Sequence, residues 1–131
     1  AKLDDLANLI PARLTALFFL AAALAGGKLS LVRIREYCVT LLREGKKHLS
    51  PNSGYPEAAA ALLLHVRLGG RNVYRGVPAD RPVINPGGRE PSSEDLELLR
   101  TLVKRAALLA LVTGVILSFF AGALPETVIC F

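Results

Sequence analysis

The chain has no tryptophan and no methionine, and aromatic residues make up only 6% of its 131 positions, although 52% of them are hydrophobic. Its apolar residues are therefore mainly Leu, Ala and Val, and the mean hydropathy is +0.41. A soluble domain of this size is usually less apolar, whereas lipid-facing helices favour this composition. Because Met is missing even at the first position, we expect the chain to begin inside a longer reading frame or after processing.

Several common catalytic and binding patterns are also missing from the sequence. There is no G-x-x-x-x-G-K-[ST] motif, which excludes Walker-type nucleotide binding. There is no G-x-S-x-G elbow, and no Ser/His/Asp grouping is visible in the sequence. His48 and His65 lack the spacing of a structural zinc site. Cys38 and Cys130 are far apart in sequence, so we do not expect a structural disulfide.

Two apolar runs are candidates for membrane spans. Residues 106–124 carry no charge over 19 positions, close to the roughly 20 residues that cross a hydrocarbon core. The alternative, a buried helix in a soluble protein, requires more bulk than this chain supplies. A second run reaches spanning length only as residues 9–25, which places Arg13 inside it. This second segment is either a span or a short helix that enters from one face.

The positive charges are concentrated between the two apolar runs. Of 16 Lys and Arg residues, 14 lie between Lys28 and Arg105, and the positive-inside tendency therefore predicts a cytoplasmic middle segment. The net charge of +5 does not indicate nucleic-acid binding, because the cations are spread along the segment without a reader motif. Within it, residues 29–42 have the apolar spacing of an amphipathic helix. Its basic face either rests on anionic headgroups or is simply solvated.

A polar loop at residues 50–55 is followed by an alanine-rich segment that predicts a helix over 56–68. Pro56 suits the first helical position, Glu57 suits the positive end of the helix dipole, and Gly69-Gly70 forms a stop. The first turn and the Asn52 amide make either a phosphate or carboxylate site or only a capped helix start.

A last helix is expected to begin near Ser92-Ser93 and to continue into the apolar run at 106. The sequence thus predicts an all-α integral membrane helical protein, with a long cytoplasmic loop segment that contains short amphipathic helices. Residues 1–131 are expected to form a single membrane domain.

Several motifs in a fixed order resemble the CobD/CbiB family, adenosylcobinamide-phosphate synthase. They are Asp4-Asp5-Leu6 with Asn8, the run Ile10-Pro11-Ala12-Arg13-Leu14-Thr15-Ala16, the loop from Ser50 to Ala59, Leu68-Gly69-Gly70 with Tyr74 and Gly76, Arg81-Pro82, and Gly87-Gly88. The resemblance covers residues 4 to about 105. Members of the family are about twice as long, and the resemblance is to their carboxy-terminal part. It therefore implies a missing amino-terminal half or a companion chain.

The resemblance implies an enzyme of cobalamin biosynthesis. Such an enzyme joins the carboxylate of adenosylcobyric acid, a corrinoid, to the amine of (R)-1-amino-2-propanol phosphate, or of free aminopropanol, using ATP and Mg²⁺. The carboxylate must be activated, as an acyl phosphate. This activation requires carboxylates that bind the metal ion, cations that stabilise the transferring phosphoryl group, and a binding site for the phosphate of the amine substrate. The alternative is a non-enzymatic membrane binding or sensor protein of the AmpE-like branch. The joint presence of Asp5, Arg13, Asn52 and Glu57 favours the enzyme.

The strongest candidate site residues are charged. Asp4 and Asp5 either hold Mg²⁺, with Asp5 also able to orient the attacking amine, or form a pair at a helix start. Arg13 is costly in an apolar segment unless it is paired; it binds a phosphate or carboxylate, or it forms an ion pair with Asp5 or Glu57. Glu57 is a candidate base or metal ligand.

The remaining candidates are expected to bind substrate. Asn52 and Ser53 belong to the polar loop, next to Glu57. Arg71, Tyr74 and Arg81 follow the predicted Gly69-Gly70 stop and are weaker candidates, because cytosolic loops are often rich in arginine for solubility alone.

Overall fold

The computed structural model describes residues 7–48, 50, 52–74 and 76–122. It is 67% helical. The elements are α1 (Leu9–Ala25), a 3-10 turn (Leu31–Arg33), α2 (Ile34–Gly45), α3 (Gly54–Leu64), β1 (Leu68–Tyr74), β2 (Val77–Ile84) and α4 (Ser93–Gly122).

Helix α3 lies at the centre of the packing, between α1 and α2, while α1 also packs against α4. Its alanines at 58, 59 and 61 are 0% exposed. Alanine is the best helix former and has the smallest side chain after glycine, so neighbouring helices can approach α3 closely on more than one side. The short alanine-rich helix therefore forms the core against which the polar loop before it is held.

Helix α2 begins later than the sequence indicates, because its expected first turn is a separate 3-10 turn. Leu31 lies in that turn and is exposed, whereas Leu41, in α2 itself, is buried. Tyr37 provides the other buried contact, and its hydroxyl donates to the Ala59 carbonyl over 3.2 Å. Burial raises the pKa of Tyr37, and the neighbouring Cys38 raises it further. The neutral phenol thus links α2 to α3 through this hydrogen bond.

A β-hairpin corrects the prediction of an all-α fold. The helix expected over 56–68 runs from Gly54 to Leu64 and ends at His65, which has a φ of 55°. The chain then forms the antiparallel pair β1–β2, with Leu68 opposite Ile84 and an irregularity between Leu68 and Gly70. The two glycines read as a helix stop instead have positive φ in this bulge, a backbone conformation that glycine adopts without strain.

Helix α4 confirms the expected long helix that starts near Ser92-Ser93 and continues into the apolar run. The Asp95 carboxylate accepts from the Ser92 backbone N–H over 2.7 Å and from the Ser92 hydroxyl over 2.9 Å, which satisfies donors at the helix start. Arg89 holds the same carboxylate through two bonds of 2.6 and 2.7 Å. These hydrogen bonds, those from Arg89 above all, hold the pKa of Asp95 well below its usual range.

Among the described residues, α4 is the one helix long and apolar enough to cross a membrane. Only 6% of its most apolar window is buried, so this segment is not the core of the chain. Residues 123 and 124 of the expected span lie outside the described residues. The other expected span, 9–25, corresponds to α1, which has 17 residues and buries one side against α3 and α4. A second crossing stays a prediction.

Candidate functional site

The loop between α2 and α3 is closed by a tight contact between two glycines. A Cβ atom added at Gly45 would lie 2.8 Å from the Tyr55 ring, and one added at Gly54 would meet the Gly45 carbonyl and the His48 Cβ. Only residues without side chains allow the end of α2 and the start of α3 to approach this closely. The polar residues between them are thereby confined to a small volume.

His48 lies at the centre of this loop. Its Nδ1 accepts the Ser50 backbone N–H over 3.0 Å and lies 2.8 Å from Ser53 Oγ. On the other side of the ring, Nε2 lies 3.5 Å from Glu57 Oε2. A backbone N–H can only donate, so Nδ1 accepts the Ser50 hydrogen, and the Ser53 hydroxyl lies beside the same nitrogen. Nε2 faces the Glu57 carboxylate on the other side of the ring.

The structure brings together the three candidates that the sequence placed in the polar loop. Asn52 is buried, and its backbone N–H donates to Ser50 Oγ over 3.4 Å. Ser53 precedes α3, and its carbonyl accepts the Glu57 N–H over 3.2 Å. Glu57 therefore lies one turn above Ser53. Pro56 occupies the third helical position rather than the first, because α3 begins at Gly54.

Arg13 reaches this loop from α1. Its guanidinium carbon lies 4.6 Å from the centre of the Tyr55 ring, and Nη1 donates to the Leu9 carbonyl over 2.8 Å. An arginine over an aromatic face gains a cation–π attraction. The ion pair expected with Glu57 is not found among the described residues, and Asp5 lies outside them. Among the described residues, the Tyr55 ring supports the half-buried guanidinium.

The other predicted binding residues lie on the hairpin. Arg71 pairs in register with Asp80, and Arg81 with Gly70, and both arginines are exposed. The Tyr74 backbone pairs with Val77 at the tip. The hairpin follows the far end of α3, about 15 Å along the helix axis from the polar loop at 1.5 Å per residue. Their substrate-binding roles stay predictions, and the described hydrogen bonds and ion pairs do not join Arg71 to the loop.

The predicted metal ligands Asp4 and Asp5 lie outside the described residues. Across residues 7–48, 50, 52–74 and 76–122, no group of three or more His, Cys, Asp or Glu side chains is placed to hold a metal ion. Mg²⁺ is often bound by only one or two carboxylates together with substrate phosphates. The expected Asp4-Asp5 pair suits that mode of binding.

Sequence reasoning missed the contact between Glu44 and Asn85. Glu44 is only 2% exposed, yet its Oε2 accepts from the Asn85 N–H and from Lys47 Nζ, each over 2.8 Å. Burial raises the pKa of Glu44, but these hydrogen bonds together with the positive charges of Lys47 and Arg43 outweigh it, and the net pKa lies below the usual value. Asn85 also donates to the Val66 carbonyl over 2.9 Å. The chain after the hairpin is thus fastened to the turn of α2 that precedes the polar loop.

An open groove with a volume of about 560 Å³ lies at the opposite end of α2 and α3. Its lining combines leucines and polar groups with charges of both signs: Lys28, Arg33, Glu36, Ser30, Thr40, Tyr37, His65, Asn85, Leu29, Leu62 and Leu63.

The described residues form a mostly helical unit that includes one helix of membrane-spanning length and a polar site held against packed helices. The chain belongs to the CobD/Cbib protein family, whose model matches residues 1–103. This finding confirms the resemblance seen in the sequence.

Three curated relatives, each named "Cobalamin biosynthesis protein CobD", illustrate the similarity. The protein from Geobacter metallireducens is 56% identical over 85 residues, which cover 64% of this chain and 25% of the relative. The protein from Rhodobacter capsulatus is 43% identical over 117 residues, which cover 88% of this chain and 35% of the relative. The protein from Halalkalibacterium halodurans is 39% identical over 108 residues, which cover 82% of this chain and 33% of the relative. The chain thus spans a third or less of most of these relatives. No solved structure matches it significantly.

Proposed function

We propose that this chain is the carboxy-terminal part of an enzyme of cobalamin biosynthesis that makes adenosylcobinamide phosphate, or adenosylcobinamide. The names of the CobD relatives support the pathway. The observation that carries the site assignment is the group of Ser53 and Glu57 around His48, with Arg13 on the neighbouring Tyr55 ring. A mere membrane anchor of the AmpE-like kind has no need for such an arrangement.

The proposed reaction joins a carboxylate to an amine. An amine does not displace hydroxide at neutral pH, so the corrinoid carboxylate is first phosphorylated by ATP. The amine, which arrives as an ammonium ion, then replaces the phosphate: one C–N bond forms, one C–O bond breaks, inorganic phosphate leaves with one proton, and a base takes up the other. Mg²⁺, held by Asp4 and Asp5, would neutralise part of the negative charge on the phosphoryl group.

Each candidate site residue has a role in this proposal. Arg13, supported by the Tyr55 ring and tied to the Leu9 carbonyl, directs its remaining donors to an anionic group of a substrate. Glu57 lies at the outer edge of the loop and is the base or the ligand of a cation. The buried Asn52 lines the inner wall. The hairpin arginines Arg71 and Arg81, with Tyr74, are proposed to bind the more distant parts of a large corrinoid.

The proposed location is the cell (inner) membrane, as a multi-pass protein with a cytoplasmic middle segment. The exposed apolar part of α4 supports insertion, since large apolar side chains such as Leu111, Phe119 and Phe120 face outwards. The concentration of positive charge between the two apolar segments supports the orientation.

Turnover by the detergent-purified chain tests this proposal. The assay supplies adenosylcobyric acid, aminopropanol phosphate, ATP and Mg²⁺, and mass spectrometry detects the product. Product that disappears in Arg13→Ala but persists in Arg35→Ala, a change at an exposed arginine of α2, supports a synthase whose site includes Arg13. Absence of both product and corrinoid binding, in folded protein, overturns the enzymatic proposal and favours the non-enzymatic alternative.

A further inference from the structure

We infer that Lys28 and Arg105 together bind the phosphate of an anionic phospholipid, at the point where helix α4 enters the membrane. The inference rests on the proposed membrane location and adds a ligand to it. The sequence raised contact with headgroups for the basic face of residues 29–42. The structure points instead to a pair of cations that the fold brings together beside that segment.

Arg105 is the last charged residue before the apolar part of α4. Residues 106–122 carry no Lys, Arg, Asp or Glu, and large side chains in this part such as Leu108 and Leu111 are 61% and 65% exposed. A helix inserted along this run places Arg105 at the level of the lipid headgroups. Positively charged side chains are favoured there on the cytoplasmic side, where anionic lipids are common.

The fold brings Lys28 to the same place from the end of α1. The Lys28 N–H donates to the Ala23 carbonyl over 2.9 Å, which fixes the chain at the helix end. Gly26 has no side chain, and a Cβ atom added there would meet Arg105 Nη1. Lys28 and Arg105 line one narrow cleft between α1, α3 and α4. The two cations therefore face a common space.

Neither cation is neutralised within the part of the chain that the structure describes. The ion pairs found there include neither Lys28 nor Arg105, and both residues are exposed. The described lining of the cleft contains no acidic residue. Two positive charges that line one cleft repel each other, and an anion bound between them removes this repulsion. The cleft thus complements a phosphate or a similar anion.

The walls of the cleft favour a lipid over free phosphate. They are mainly apolar and include Leu63, Leu98 and Leu102. The cleft has a volume of only about 20 Å³, so the ligand would lie along its rim. Lys28 and Leu63 also line the open groove of about 560 Å³, which offers space for the rest of a headgroup. A phospholipid uses the cations and the leucines, whereas free phosphate uses the cations alone.

The turn that follows Lys28 gives an independent indication of contact with lipid. Leu31 and Val32 are 76% and 90% exposed, and the next residue in this 3-10 turn is Arg33. Exposed apolar side chains beside cations are typical of segments that lie in the membrane interface. We therefore expect this turn to rest on the same bilayer surface as Arg105.

Lipid binding by the full chain, in micelles of an uncharged detergent, is the first test. The probes are a short-chain phosphatidylglycerol, phosphatidylcholine with the same acyl chains, and inorganic phosphate, and calorimetry measures each affinity. We expect phosphatidylglycerol to bind at least about tenfold more tightly than the other two, because it alone combines a net negative charge with acyl chains. Equal binding of the two lipids would overturn the role of the cations. Phosphate that binds as tightly as phosphatidylglycerol would overturn the choice of a lipid.

Variants assign the binding to this place. The double variant Lys28→Gln with Arg105→Gln should weaken phosphatidylglycerol binding at least about tenfold, the loss expected for charge-assisted contacts. Lys46→Gln with Arg71→Gln is the matched control. It removes the same two charges from exposed positions that line neither cavity. Circular dichroism confirms equal helix content. An equal loss in both double variants would show attraction by net charge alone and overturn the site.

The depth of the turn in a bilayer is the second test. The chain has no tryptophan, so Leu31→Trp introduces a single fluorescent reporter at an exposed position. We expect its emission to be quenched by brominated phospholipids in vesicles that contain the inserted chain. A water-exposed emission without quenching would contradict contact of the turn with lipid, and Val73→Trp, at an exposed position of the hairpin, shows the signal of a residue away from the bilayer.

These outcomes are distinguishable from a failure of the proposed function. A chain that prefers phosphatidylglycerol through Lys28 and Arg105 but forms no product supports the lipid site and leaves the synthase proposal to fail separately. A chain that forms product and stays in the membrane without this preference would overturn the lipid site alone. A chain that carbonate releases from membranes would overturn the proposed location and the lipid site together.

Discussion

The guanidinium of Arg13 lies 4.6 Å from the centre of the Tyr55 ring. This contact joins α1 to the first turn of α3, two parts of the chain that lie about 40 residues apart in the sequence. Tyr55 in turn packs against Gly45 at the end of α2. The close contact of Tyr55 with Gly45 therefore holds the aromatic ring that places Arg13 against the first turn of α3.

Replacing Arg13 should harm function more than folding. A cation–π contact of a partly exposed arginine contributes about 0.5–1 kcal/mol, so Arg13→Ala should lower the melting temperature only slightly while abolishing product formation. Arg13→Lys keeps the charge but loses the planar fork, and we expect an intermediate rate. Thermal unfolding and the product assay, each with Arg35→Ala alongside, measure the two effects. A full rate in Arg13→Ala would exclude the arginine from the site.

Gly54→Ala should destabilise the chain although alanine is the better helix former. The added methyl group would meet the Gly45 carbonyl and the His48 Cβ, and a steric conflict of this kind costs about 1–3 kcal/mol. Gly87→Ala is the matched control, because its added methyl group meets no atom within 4 Å. Denaturant unfolding of both variants measures the difference. Equal stability would show that the two helices do not approach closely at this point.

Acid should weaken the start of α4. The two hydrogen bonds from Arg89, with those from Ser92, lower the pKa of Asp95 from its usual value of 3.8. A carboxyl whose pKa is lower in the folded chain stabilises it fully above the unfolded value, and this contribution is lost as the pH falls through the folded value. Melting temperature measured from neutral to acidic pH should therefore fall less steeply in Asp95→Asn. Parallel curves for the two proteins would refute this assignment.

The apolar half of α4 should hold the chain in a membrane. After expression in bacteria, we expect the chain to stay in the membrane fraction through carbonate washing. Leu111→Arg, near the middle of the exposed apolar segment, should reduce insertion, since a central arginine costs about 2.5–3.5 kcal/mol on insertion scales. Arg100→Leu, in the polar part of the same helix, is the control that adds no charge. Release of the unmodified chain by carbonate would show that α4 is not inserted.

The long helix and its start could be predicted from the sequence because their causes are local. The helix start at Ser92 and Asp95 and the uncharged run further along the same helix can each be recognised from neighbouring positions in the sequence. The structure confirms one long helix that contains both. The hairpin could not be separated from a helix and loop in the same way. A Gly-Gly pair is compatible with both a helix stop and a β-bulge, and the pairing of Leu68 with Ile84 depends on residues 16 positions apart.

The polar loop was recognised from its composition, but its central residue was not. His48 contacts residues two, five and nine positions further along the chain, and only the path of the loop and the close approach of Gly54 bring them together. The contact of Glu44 with Asn85 spans 41 positions, and no local pattern indicates it. Residues whose roles depend on tertiary contacts are therefore those that sequence reasoning missed.

The most direct test of the account compares product formation by Glu57→Gln and Glu36→Gln, in preparations matched for helix content and amount. Both changes remove one negative charge from a partly or fully exposed glutamate, but only Glu57 contacts His48 at the polar loop. We expect Glu57→Gln to lose at least about 100-fold in rate, as for the loss of a catalytic acid–base or charge-stabilising group, and Glu36→Gln to match the unmodified chain. An unchanged rate in Glu57→Gln would contradict the claim that the loop between α2 and α3 is the active site.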